Sequence, residues 1–162
     1  MDIKIIEDYL TPQIHKQVWE YCLGAPYYVG ETDNPDTPPT GVVHNISLDS
    51  SIYKILSSPL KENGLIDIKN IYRCYINCFA SSENPYWHMD GEGITCLYYP
   101  NLEYGYLNEG GETQFLLPNN DIRGILPLPN RMVLFDGMIT HRATCFRSSF
   151  RYTLAMKFGY PK

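Results

Sequence analysis

Phe150-Arg151-Tyr152-Thr153-Leu154-Ala155-Met156-Lys157-Phe158 is the stretch that decides the fold. Successive side chains of a strand point to opposite faces. Phe150, Tyr152, Leu154, Met156 and Phe158 therefore share an apolar face, while Arg151 and Thr153 fall on the other. The apolar face suits packing against helices, and the opposite face then turns a guanidinium and a hydroxyl into a β-sandwich. Four earlier runs, 68–79, 94–99, 112–117 and 131–136, are also β-branched or aromatic and are separated by Gly, Pro and Asn clusters. Before them the pattern is helical. Thr11-Pro12 supplies an N-cap and a first-turn proline, Ile14, Val18, Trp19 and Cys22 fall on one face, and Gly24 ends the segment. A second helix is predicted over 49–61, with Ile52, Ile55 and Leu56 inward and Asn63-Gly64 as its stop. Two helices followed by many strands predict a mainly β (α+β) fold, a sandwich or barrel with helices on one outer face. These patterns alone leave an α+β sandwich open.

The length of 162 residues fits a single domain spanning 1–162, with helical support over about 1–65 and a strand core over about 66–160. Charged residues are 19% and hydrophobic residues 44%, which excludes disordered and coiled-coil classes. The net charge of −5 argues against an electrostatic grip on nucleic acid. No apolar run approaches a membrane span, and MDIKIIEDYL lacks the layout of a signal peptide, so neither a membrane partner nor export is expected. Five cysteines, an odd number with no CxxC pair, point to reduced thiols in a cytoplasmic setting. Residues 30–41 (GETDNPDTPPTG) form a long irregular loop.

Only four histidines are available for chemistry. His15 lies in the first helix and His44 follows the proline-rich loop; both are read as structural or solvent-facing. In Trp87-His88-Met89-Asp90 an extended backbone points His88 and Asp90 the same way, which presents an imidazole and a carboxylate to one point. His141, 53 positions after His88 and just beyond the apolar run 131–136, offers a third ligand. Two histidines and one carboxylate on one face of an ion suit non-haem Fe(II) and oxygen chemistry. Zinc accepts the same ligands, so the triad alone does not choose. Arg151 adds a second clue. A buried guanidinium needs an anion, which is either one of the chain's own acids or a dicarboxylic acid held by a bidentate fork. Strand logic leaves both open.

Taken in order, His88-x-Asp90, Thr95-Cys96-Leu97-Tyr98-Tyr99, Gly110-Gly111-Glu112-Thr113-Gln114-Phe115, the run from Pro129 to Phe135, His141 and Arg151 resemble the Fe(II)/2-oxoglutarate-dependent oxygenase family, in particular its prolyl-4-hydroxylase-like branch. The resemblance covers about 68–160. It implies a double-stranded β-helix (jelly roll) with the N-terminal helices packed on one sheet and the metal inside one end. It implies that His88, Asp90 and His141 hold Fe(II), and that Arg151, Tyr99 and Thr153 hold the far carboxylate of 2-oxoglutarate. It also implies O2 as co-substrate and ascorbate as a supporting reductant. Where the branch often has a polar residue nine or ten positions before the first His, this chain has Phe79 and Cys78, so the keto-acid end is left to metal chelation.

The implied activity is hydroxylation of an aliphatic C–H, first of all in a prolyl residue of a protein or peptide, with release of succinate and CO2. The alternatives are a hydroxylase of a free amino acid or other small molecule, and a non-catalytic metal-binding jelly-roll module. Specificity is expected from loops 30–44, 81–87 and 99–108; the first is long enough for a lid, and the tyrosines of the last suit a peptide groove.

Overall fold

The computed structural model describes residues 3–105 and 108–160. Nine strands and two helices follow one another as β1 (Lys4–Ile6), α1 (Pro12–Gly24), β2 (Val42–Asn45), α2 (Ser51–Glu62), β3 (Ile71–Phe79), β4 (Ile94–Tyr99), β5 (Thr113–Leu116), β6 (Ile122–Ile125), β7 (Arg131–Asp136), β8 (His141–Ala143) and β9 (Arg151–Phe158). All strand pairs are antiparallel. Six strands form a sheet in the order β1-β7-β4-β9-β3-β2, and three form a second sheet in the order β6-β5-β8. Among the described residues no helix is long and apolar enough to cross a membrane.

The parity of β9 organises both layers. Leu154, Met156 and Phe158 join one buried cluster with Val18 and Cys22 of α1, Leu56 and Leu60 of α2, and Cys74, Ile76, Cys96, Tyr98, Met132 and Leu134 of neighbouring strands. The opposite face carries a second cluster, in which Leu97, Val133, Phe135 and Ala155 of the large sheet meet Phe115 and Ile125 of the small one. Antiparallel register fixes this sorting. Cys96 stands opposite Met156 and Leu97 opposite Ala155, so a slip of one residue would exchange the two faces.

The helices follow the sequence with local differences. α1 begins at Pro12 behind an extended Thr11, but the threonine hydroxyl makes no cap hydrogen bond. α2 is capped by Ser50, whose hydroxyl accepts from Tyr53 N at 3.3 Å. Its stop is Asn63, followed by Gly64 at φ +61°, the left-handed conformation in which glycine carries no steric cost. Phe150, assigned above to the apolar face of the last strand, precedes β9 and is exposed. Residues 68–70 are a 3-10 turn rather than the start of β3. The loop at 30–44 is shorter than expected, because Val42–Asn45 pairs with β3 as an edge strand.

Candidate metal centre and adjoining pocket

His88 and His141 are joined through their backbones. His88 N donates to His141 O and His141 N to His88 O, each at 2.9 Å, which brings together residues 53 positions apart. Asp90 is tied in the same way, its N–H donating to Gly137 O at 2.8 Å. Gly137 cannot carry a side chain there, since a Cβ would lie 2.5 Å from Gly91 O. One ligand atom from each of His88, Asp90 and His141 lies within 4.8 Å of the others.

The tautomers follow from the neighbours. His88 Nδ1 faces Tyr86 O at 3.0 Å, and His141 Nδ1 faces Ile139 O at 2.8 Å. A carbonyl only accepts, so both Nδ1 atoms carry protons, and in the neutral ring that leaves the Nε2 lone pair for a ligand. Those Nε2 atoms lie 3.6 and 3.5 Å from the two oxygens of Asp90. The His141 ring is packed against Phe115 and Phe135, and its pKa is pulled down to about 4, chiefly by burial. It is therefore neutral near pH 7, the form that binds a metal. Burial alone would raise the Asp90 carboxyl, but neighbouring positive charge and hydrogen bonds from Lys157 and Thr95 outweigh it and hold the group below its ordinary value. Two oriented imidazoles and a carboxylate of this kind fit a divalent cation with open positions.

Behind the triad lies a cavity of about 130 Å³, whose lining includes Asn77, Phe79, Thr113, Arg151, Thr153 and Lys157. Arg151, in the wall of this cavity, is 1% exposed. Its Nε donates to Gly111 O at 2.7 Å and its Nη2 to Thr113 Oγ1 at 2.9 Å. Among the described residues no carboxylate approaches the guanidinium within 4.0 Å. The Tyr99 hydroxyl meets the same Thr113 hydroxyl at 2.7 Å, and its ring lies under the guanidinium, 5.7 Å away. A buried cation flanked by two hydroxyls and lacking an acid of its own fits an anionic group. Thr153 shares this face, opposite Asn77.

The structure thus brings His88, Asp90 and His141 together on a cavity that Arg151 and Thr153 also line, while Tyr99 stands behind it and reaches it through Thr113. His15 and His44 lie elsewhere. His15 is buried beside Tyr98 and Asn101, and His44 bonds the Tyr21 hydroxyl. Cys78 faces away from the cavity against Tyr152, whereas Phe79 lines it.

Several residues around the site were not singled out from sequence. Lys157 Nζ lies 2.7 Å from Asp90 Oδ1, and Thr95 Oγ1 donates to Asp90 Oδ2 at 2.6 Å. The alternation that selected Arg151 and Thr153 also selects Lys157. Thr113 was visible only as part of a glycine-rich segment. Glu31 and Asp33 reach the cavity wall from the loop, and no local pattern announces them. The described part of the tyrosine-rich loop lies away from this cavity. The Tyr104 hydroxyl donates to Gly110 O and its ring packs on Phe146, none of residues 100–105 or 108 lines the cavity, and Tyr106 and Leu107 lie outside the described residues.

No protein-family model matches the chain, and no curated protein matches it in sequence. Solved structures do resemble it. A prolyl hydroxylase from Trichoplax adhaerens, in complex with a hypoxia inducible factor oxygen degradation domain peptide fragment, superposes with a TM-score of 0.78 at 20% identity, covering 97% of this chain and 83% of that one. A Pseudomonas putida prolyl-4-hydroxylase gives 0.74 at 12% identity, covering 98% and 92%. HygX from Streptomyces hygroscopicus, with nickel, 2-oxoglutarate and hygromycin B bound, gives 0.72 at 9% identity, covering 97% and 82%. The chain is a mainly antiparallel β protein with two helices, and its fold is the one shared by prolyl hydroxylases and other 2OG-Fe(II) oxygenases, consistent with a jelly-roll-like architecture.

Proposed function

We propose that the chain is a single Fe(II)- and 2-oxoglutarate-dependent dioxygenase domain over 1–162, a double-stranded β-helix with its N-terminal helices packed on the large sheet. Its reaction is hydroxylation of an aliphatic C–H, first of all in a prolyl residue of a protein or peptide, with release of succinate and CO2. The observation that carries this reading is one cavity lined both by a His–Asp–His triad and by a buried arginine that, among the described residues, has no carboxylate partner.

Bound Fe(II), with 2-oxoglutarate and O2, supplies the oxidising chemistry. The chain's own residues do the rest. His88, Asp90 and His141 hold the ion through Nε2, a carboxylate oxygen and Nε2. Arg151, Tyr99 and Thr153 receive the far carboxylate of the co-substrate. Phe79, Leu97 and Thr113 line the same cavity and shape its wall. Exposed Met89 and Met138 flank the Asp90–Gly137 contact and offer a soft apolar rim to a peptide. The likeness to a hydroxylase carrying a peptide supports this choice of substrate. The small-molecule alternative draws on the acidic Glu31 and Asp33 in the wall, and on the likeness to HygX with hygromycin B bound. Five cysteines without disulfides suit a reduced, cytoplasmic setting, where ascorbate supports turnover.

The test is conversion of 2-oxoglutarate to succinate by protein loaded with Fe(II) and ascorbate, with and without prolyl peptides and free amino acids. Succinate formation that His141→Ala abolishes, with a peptide gaining one oxygen, is expected. No succinate from folded, iron-loaded protein would favour the non-catalytic module instead.

A further inference from the structure

The two candidate histidine ligands are held in different ways. His141 is wedged between Phe115 and Phe135, with ring centroids 6.0 and 4.7 Å away. Among the described residues His88 has no such clamp; its ring contact there is His141 itself, at 4.4 Å. On its other side stands Asp33, from the loop at residues 30–41. Asp33 Oδ1 lies 3.6 Å from His88 Nδ1. Its Oδ2 accepts from Tyr86 N at 2.7 Å and from Thr40 Oγ1 at 3.0 Å. Tyr86 O in turn accepts from His88 Nδ1 at 3.0 Å. The carboxylate therefore acts on the ring twice, directly through its charge and through the Tyr86 backbone, whose N–H it holds and whose carbonyl orients the Nδ1–H.

The loop is tied down on either side of this contact. Arg73 grips Glu31 with two bonds of 2.6 and 2.9 Å, and Asn34 Nδ2 donates to Trp87 O at 3.0 Å. Glu31, Thr32, Asp33 and Thr40 all line the cavity. This loop is a strapped wall, and one of its straps ends on a metal ligand.

We propose that Asp33 is a positioning residue for the metal centre, coupling the wall formed by residues 30–41 to the orientation of His88. The proposal rests on the assignment of His88, Asp90 and His141 as the metal ligands. Carboxylates behind a ligating imidazole raise its basicity and fix its ring, and losing one typically costs about 10–100-fold in metal affinity. Asp33→Asn keeps an acceptor for Tyr86 N and Thr40 Oγ1 but removes the charge. Thr40→Val and Asn34→Ala loosen the loop and leave the charge in place.

The experiment is titration of each metal-free protein with Mn(II), followed by electron paramagnetic resonance. Thermal unfolding confirms that each variant is folded, and His88→Ala serves as the reference for loss of the site. Weakening of Mn(II) binding by at least ~10-fold in Asp33→Asn, with Thr40→Val and Asn34→Ala within ~3-fold of wild type, is expected. If Asp33→Asn does not fold, Asp33→Ser carries the same expectation. Mn(II) affinity in Asp33→Asn equal to wild type, or an equal loss in the loop variants, overturns the role of Asp33 while leaving the metal assignment standing. Wild-type protein whose Mn(II) binding is insensitive to His88→Ala overturns both.

Discussion

Replacing Arg151 by methionine separates a functional arginine from a structural one. The guanidinium is 1% exposed and has no carboxylate within 4.0 Å among the described residues, so no ion pair offsets its desolvation. Burying an ion costs several kcal/mol. Methionine recovers that cost and fills much of the volume, but leaves Gly111 O and Thr113 Oγ1 each short of one donor, at about 1–2 kcal/mol apiece. The opposing effects nearly cancel. The metal-free variant should lie within ~1 kcal/mol of wild type in urea unfolding. Co-substrate binding should respond very differently. Two charge-assisted bonds to a carboxylate, at about 1.5–3 kcal/mol each, correspond to a loss of ~10²-fold or more in 2-oxoglutarate affinity. Thermal unfolding with Mn(II) and N-oxalylglycine reads this directly, because a ligand at 100 times its Kd stabilises the native state by about 2.7 kcal/mol. Wild type should show that gain, and Arg151→Met should show almost none. A variant destabilised by more than ~3 kcal/mol with unchanged ligand response would make Arg151 a packing residue and refute the reasoning.

Lys157→Met should have opposite effects on stability and metal binding. Removing the ammonium 2.7 Å from Asp90 leaves a buried carboxylate short of its ion-pair partner, costing the metal-free protein about 3 kcal/mol in urea unfolding. It also removes a positive charge beside the site of a dication, so Mn(II) affinity should rise by at least ~10-fold in calorimetry. Thr113→Val, nearly isosteric, withdraws the hydroxyl that joins Tyr99 to Arg151. It should cost about 1–3 kcal/mol in urea unfolding and raise the 2-oxoglutarate requirement in the succinate assay. His15 gives a pH dependence. Burial lowers its pKa from the ordinary 6.5, so the native state keeps it neutral while the unfolded chain takes up a proton. Its contribution is complete above pH 6.5 and is lost as pH falls towards the depressed native value. His15→Gln should flatten that limb of the urea-midpoint profile.

The long central strands were legible because both faces of the large sheet are buried. β4 and β7 match their predicted ranges residue for residue, and β9 differs only by Phe150. Apolar runs bounded by turn residues carry that signal without tertiary information. β1, β2, β6 and β8 were not legible. Each has three or four residues, and pairing rather than composition makes it a strand: β8 exists because His141, Arg142 and Ala143 register against β5. The triad could be read from HxD and a distal His after an apolar strand. The residues that tune it could not all be read. Lys157 follows from the parity that placed Arg151, whereas Asp33 reaches His88 across 55 positions through a loop without periodicity. Thr11 shows the limit of cap rules, since its backbone takes the cap conformation while its hydroxyl makes no bond to the helix.

The central claim is tested most directly by crystals grown with Mn(II) and N-oxalylglycine, an inert analogue of 2-oxoglutarate. The account predicts one ion about 2.0–2.3 Å from His88 Nε2, an Asp90 oxygen and His141 Nε2. It also predicts that the far carboxylate of the analogue is bonded to Arg151 and Tyr99. An ion bound elsewhere, or an analogue whose far carboxylate leaves Arg151 untouched, would contradict it.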